Sequence, residues 1–117
     1  MVVAERSGTP VGVAATAECW LVGLYVIPEE WGTGVADHLH DDVVERMRAA
    51  GCREARLWCL EENHRARRFY ERRGWRLVEE TRVVPFPPHP LDVSYALDLA
   101  APPARMAAIE ASWSSAR

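Results

Sequence analysis

The residues best placed for chemistry are Trp31-Gly32-Thr33-Gly34-Val35-Ala36, between an apolar run and an amphipathic stretch. Gly32 and Gly34 lack a Cβ, so the backbone there can approach a ligand closely. The segment opens a helix, and the first amides of a helix have no internal partner and carry partial positive charge. Free amides on a turn of small residues suit a diphosphate, and Thr33 could add a hydroxyl contact. The turn is not a Walker loop, because Lys-Ser/Thr is missing. It is a poor dinucleotide fingerprint too, because the third glycine position of GxGxxG is Asp37. Taken alone, it reads more simply as a strand-to-helix joint without a ligand.

Other constellations invite weaker readings. His38-Leu39-His40-Asp41-Asp42 resembles a metal cluster, but positions i and i+2 on a helix do not share a face. A zinc pair wants i and i+4, so no metal site is expected. Arg65, Arg67, Arg68, Arg72 and Arg73 crowd one stretch. Their simplest reading is a solvated face balanced by Glu61, Glu62 and Glu71. Cys19, Cys52 and Cys59 form an odd, sparse set with no CxxC and no zinc spacing. They read as reduced thiols, with Cys52 and Cys59 as buried fillers. All 14 basic residues are arginine, which excludes Schiff-base lysine chemistry.

These residues need a scaffold, and 117 residues allow one domain. Hydrophobic residues make up 49%, enough for one core, and the net charge of -3 argues against nucleic-acid binding. No apolar run approaches a membrane span, and the N-terminus has no signal-peptide core. With the thiols read as reduced, the expected location is cytoplasmic.

Residues 2–6 and 11–16 read as a hairpin around Ser7-Gly8-Thr9-Pro10. Residues 19–27 form a third strand, so continuously apolar that both its faces should be covered. Gly23 inside it suggests a bulge or a close backbone approach. Val35, Leu39, Val43 and Met47 then recur at helical spacing until Gly51. Residues 54–60 read as a strand. Asn63 caps a second helix bearing Ala66, Phe69 and Tyr70, and Gly74 ends it. Residues 75–84 and 91–99 read as strands around the loop Pro85–Pro90. The strand–helix–strand unit from 19 to 60 should pair in parallel. Met106, Ile109 and Trp113 imply a short amphipathic helix in a tail over 100–117, beyond a core at 1–99.

The stretch LYVIPEEWGTGVADHL resembles the cofactor motif of the GCN5-related N-acetyltransferase (GNAT) superfamily, Arg/Gln-x-x-Gly-x-Gly/Ala. Trp31 stands at the Arg/Gln position, Gly34 at the glycine and Ala36 at Gly/Ala. Gly32 suits the common form of the loop. LEENHRARRFYERRGW resembles the family's second motif through Asn63, Ala66, Phe69, Tyr70, Gly74 and Trp75. The resemblance implies an α/β (α+β) fold. Its sheet would be mixed and mostly antiparallel, with a central parallel splayed strand pair, flanked by helices and lacking the family's first strand and helices. It implies acetyl-CoA as cofactor. Leu24, Tyr25 and Val26 would meet pantetheine through their backbone. Trp31, Gly32, Thr33, Gly34, Val35 and Ala36 would hold the diphosphate, and Asn63 the cofactor arm.

The same resemblance implies acetyl transfer to a primary amine, with Tyr70 near the sulfur as proton donor to the leaving thiolate. A phenol with a pKa of about 10 holds its proton at neutral pH. Glu18, Glu61 and Glu62 are candidate general bases, each read first as a surface carboxylate. The arginine run could meet the 3′-phosphate of CoA, and Phe86 and His89 could border the acceptor. A homodimer is expected, with no nucleic acid or membrane partner. The tail or a second subunit would cover exposed apolar surface. The alternatives are a non-catalytic acyl-CoA-binding or regulatory module and a dimeric interaction protein with an empty cleft.

Overall fold

The structure, a computed structural model, describes residues 1–100. Ser7 and Gly8, at φ of 53° and 80°, reverse the chain between β1 (Val2–Arg6) and β2 (Thr9–Ala17). Two consecutive positive φ values are what a tight hairpin turn requires. β3 (Trp20–Val26) runs antiparallel to β2. Pro28 follows, carries no amide for a ladder, and opens a single 3-10 turn, Pro28–Glu30. α1 (Val35–Ala49) then buries Val35, Leu39, Val43, Val44 and Met47. Gly51, at φ 96°, lets the chain leave it. β4 (Glu54–Leu60), α2 (His64–Arg72), β5 (Arg76–Val83) and β6 (Leu91–Asp98) complete the described elements.

The six strands form one sheet in the order β1-β2-β3-β4-β6-β5, in which β3 and β4 are parallel and the other neighbours antiparallel. This is the mixed α+β sheet expected. α1 lies across β1, β2 and β3. α2 joins it on the same side, because His40 of α1 meets Phe69 and Trp75 at ring distances of 5.8 and 6.2 Å. Leu57, Tyr95 and Val43 sit at the centre of the core.

Two expectations change. β3 is not covered on both faces: Val22 and Tyr25 are 65% and 59% exposed. On the face away from the helices, Trp20 stacks on Trp58 with ring centroids 5.8 Å apart, so apolar character there reflects stacking between strands. Second, Cys19 and Cys52 are joined by a disulfide, and only Cys59 is a buried free thiol among the described residues. The crossover brings the start of β3 and the loop before β4 together, as the bond from Arg56 N–H to the Cys19 carbonyl (3.0 Å) shows. The expected tail stripe of Met106, Ile109 and Trp113 lies outside the described residues. No helix among those residues is long and apolar enough to cross a membrane.

Candidate active site

The ladder between β3 and β4 is brief. Trp20 registers with Arg56 and Leu21 with Leu57, and there the pairing ends. The cause lies on the other edge of β3. Ala15 of β2 pairs with Gly23 but Thr16 pairs with Leu21, so Val22 is an extra, bulged residue. A bulge bends its strand, and β3 swings away from β4.

The exposed edge can be read residue by residue. In antiparallel pairing, successive residues point their backbone groups to opposite edges. Ile27 donates its N–H to the Val11 carbonyl at 2.9 Å, toward β2. Tyr25, two residues earlier, shares that edge. Leu24 and Val26 therefore present backbone groups to the gap. Of the three strand residues expected at the cofactor, Leu24 turns its backbone to the gap, Val26 turns its amide there while its carbonyl is taken by the Trp31 indole, and Tyr25 borders the opening with its backbone turned toward β2.

The gap opens into a cleft of about 550 Å³ between the glycine turn and α2. Gly32 and Gly34 adopt φ of 82° and 95°, a region that favours glycine. The amides of Trp31 and Thr33 are used by the Pro28 and Glu30 carbonyls, at 3.1 and 3.3 Å. Among the described residues, those of Gly32, Gly34, Val35 and Ala36 have no backbone acceptor. Thr33 is not in the lining: its hydroxyl donates to the Glu30 carbonyl at 2.7 Å and braces the turn. The Val35 side chain belongs to the core, leaving its amide for a ligand.

Trp31 takes a part that its residue type did not announce. Its indole N–H donates to the Val26 carbonyl at 2.9 Å, and the Arg65 guanidinium lies 3.7 Å from the centre of its ring. Two carboxylates line the cleft, and each has its own arginine. Glu30 is gripped by Arg6 at 2.7 and 3.0 Å, and that hydrogen bonding holds its carboxyl below the usual range. Asp37 is paired with Arg73. Arg65 and Arg72 also line the cleft, with no carboxylate bridge among the described residues. The uncompensated charge is therefore positive, which suits a phosphorylated ligand.

α2 supplies the other wall. Asn63 caps it by accepting the Ala66 N–H at 3.2 Å, and Ala66, Phe69 and Tyr70 face the cleft. Tyr70 is buried against Phe69 and Trp75, edge to face. Burial, with a smaller effect from Cys59, pushes its phenol up to about 12. Its hydroxyl makes no hydrogen bond among the described residues and is not sealed from the cleft.

The arginine run is thus only partly a solvated face. Arg65, Arg72 and Arg73 border the cleft, while Arg67 donates to the Tyr95 hydroxyl at 3.0 Å and to the Glu61 carbonyl at 2.9 Å. Helical spacing from Phe69 to Arg72 and Arg73 carried the signal. Glu18 borders a second hollow of about 460 Å³ with Trp20, Trp58, Arg82 and Asp92. Asp92, buried and 3.0 Å from Arg82, is a carboxylate the sequence did not single out. Glu61 and Glu62 lie outside both hollows, as do the exposed Phe86 and His89. His40 is buried and accepts the Trp75 indole N–H.

The profile of the "Acetyltransferase (GNAT) family" matches residues 1–75. No curated protein matches. Solved structures do. A GNAT-family protein from Desulfovibrio desulfuricans has TM-score 0.71 and 24% identity, over 84% of this chain and 68% of its own. An N-acetyltransferase from Staphylococcus aureus has TM-score 0.72 and 19% identity, over 83% and 66%. A Salmonella typhimurium protein, solved with its cofactor acetyl-CoA, has TM-score 0.71 and 20% identity, over 87% and 67%. This chain spans about two thirds of the length of these relatives. At such identities the structures show a shared fold, while the profile covers more than half of the sequence. The chain belongs to the acetyltransferase (GNAT) family.

Proposed function

We propose that the chain binds acetyl-CoA in the cleft and transfers its acetyl group to a primary amine. The observation that carries this reading is the short β3–β4 ladder. It leaves the Leu24 and Val26 edge without a strand partner, in line with the free amides of the glycine turn. Pantetheine amides complete such an edge as a third strand would, and the turn amides meet the diphosphate. The bound thioester supplies an activated acyl carbon.

The chain's part in the reaction is to orient and to donate. The amine forms the new C–N bond, the C–S bond breaks, and the thiolate leaves. Tyr70 donates its phenol proton toward that sulfur. A phenol raised to about 12 holds its proton at neutral pH, and the phenolate left by donation, more basic than the departing thiolate, takes a proton back from solvent. Glu18, at the second hollow, stays a candidate to accept the amine's proton, directly or through water.

Because Glu61 and Glu62 stand outside both hollows, a second reading keeps the cleft without turnover, as an acyl-CoA-binding module. Calorimetry with acetyl-CoA tests the binding. Thiol release with a panel of primary amines then separates the enzyme from the module: acetyl-CoA binding without amine-dependent release selects the module. We also propose a homodimer through the sheet edge, supported by Leu77 and Val83 of edge strand β5, 53% and 61% exposed. Residues 1–99 are proposed as the core. A cytoplasmic place of action is proposed from the cofactor alone, since Cys19–Cys52 withdraws the argument from reduced thiols.

A further inference from the structure

The two walls of the cleft are bridged at two points, by the ion pair of Arg73 with Asp37 and by Arg65 on Trp31. Arg65, on the first turn of α2, lays its guanidinium on the Trp31 ring at 3.7 Å. Trp31 cannot drift with it, because its indole N–H is bonded to the Val26 carbonyl on β3. The loop that carries Trp31 is also pinned. Glu30 is held by Arg6, and Thr33 is bonded back to Glu30. An arginine stacked on a fixed aromatic plate loses less freedom when it engages an anion. Its donors stay free, since no carboxylate bridges to Arg65 among the described residues. Gly32, Gly34 and Ala36 line the same cleft, and their amides have no backbone acceptor among the described residues.

We propose that Trp31 and Arg65 form a clamp across the cleft mouth, with Trp31 as the plate that aims Arg65 at the coenzyme's diphosphate, opposite the glycine-turn amides. The clamp rests on the acetyl-CoA reading above. It assigns Trp31 a positioning role and Arg65 a direct contact. Charge balance supports the assignment. Glu30 and Asp37 are occupied by Arg6 and Arg73, so neither competes for Arg65.

The test is calorimetry on the intact chain with CoA, dephospho-CoA and pantetheine. Arg65→Ala should weaken CoA and dephospho-CoA alike, by about tenfold, and leave pantetheine unchanged. Trp31→Ala should give the same loss, and the double variant should be no worse than either single one, because plate and cation act as a unit. Arg68→Ala, outside the cleft, should bind as the wild type does and controls for lost charge. Circular dichroism on each variant separates lost binding from lost folding. Arg65→Lys provides a second readout if Arg65→Ala does not fold: it keeps the charge, forfeits the flat stack, and should recover only part of the affinity. Loss of CoA affinity with dephospho-CoA unaffected would move Arg65 to the 3′-phosphate and overturn the clamp. Additive losses from Trp31→Ala and Arg65→Ala would overturn the plate. A wild-type chain that binds CoA with no change in Arg65→Ala defeats the clamp alone. A folded wild-type chain that binds no CoA defeats the acetyl-CoA reading and the clamp with it.

Discussion

Trp75 donates its indole N–H to Nε2 of His40 at 2.9 Å, and this buried bond ties the turn between α2 and β5 to the middle of α1. The bond needs His40 to be neutral at Nε2, with its other nitrogen, Nδ1, facing Asp41 at 3.0 Å. Burial lowers the His40 pKa below its ordinary value, more than Asp41 raises it. The folded state therefore binds fewer protons than the unfolded state between the two pKa values. Stability is fully present above the unfolded value of about 6.5 and is lost as pH falls below it. The melting temperature should drop between pH 7.5 and 5.5, and His40→Gln should flatten that drop. His40→Ala should cost about 1–3 kcal/mol, because it strands the buried Trp75 donor.

Tyr70→Phe separates donation from packing. The ring contacts with Phe69 and Trp75 survive in the variant, so acetyl-CoA affinity should hold. Turnover should fall by about 10²-fold, the lower range for a general acid. In the wild type, a phenol near 12 gives no deprotonation limb below about pH 11. A variant with wild-type turnover at every pH would remove Tyr70 from the chemistry.

Gly34 and Gly51 form a matched pair. Both have positive φ, 95° and 96°, and a Cβ at either would meet no protein atom within 4 Å. Alanine should therefore cost each about 1–2 kcal/mol of backbone strain. Only Gly34 borders the cleft. Gly34→Ala should also weaken CoA binding several-fold, whereas Gly51→Ala should not. Equal effects on binding would mean that the glycine turn does not touch the ligand.

The disulfide closes a loop across 33 positions, from the start of β3 to the loop before β4. Constraint of the unfolded chain on that scale contributes about 3–4 kcal/mol. Reductant, or Cys19→Ser with Cys52→Ser, should lower the melting temperature. Thiol titration of the denatured, unreduced chain should count one thiol, Cys59. A count of three would contradict the bond.

The order of elements was legible because each boundary has a local cause. Gly51 and Gly74 stop helices, Pro28 stops a strand, and Asn63 starts a helix. The cofactor motif and the Asn63–Tyr70 face could be placed on those joints before any contact was known. What stayed hidden depends on register. Cys19 and Cys52 become neighbours only when β4 is laid beside β3, and odd cysteine counts carry no pairing information. Tyr25 looked equivalent to Leu24 and Val26 until the Ile27–Val11 bond fixed which edge each faces. Trp31 reads as a lost polar residue in one dimension, yet its N–H found Val26 and its ring found Arg65.

A crystal structure of the chain saturated with CoA tests the central claim most directly. The diphosphate should sit on the amides of Gly32, Gly34, Val35 and Ala36, with pantetheine bonded to the Leu24–Val26 edge and its sulfur beside the Tyr70 hydroxyl. A cleft still empty at saturation, or a coenzyme bound elsewhere, would contradict it.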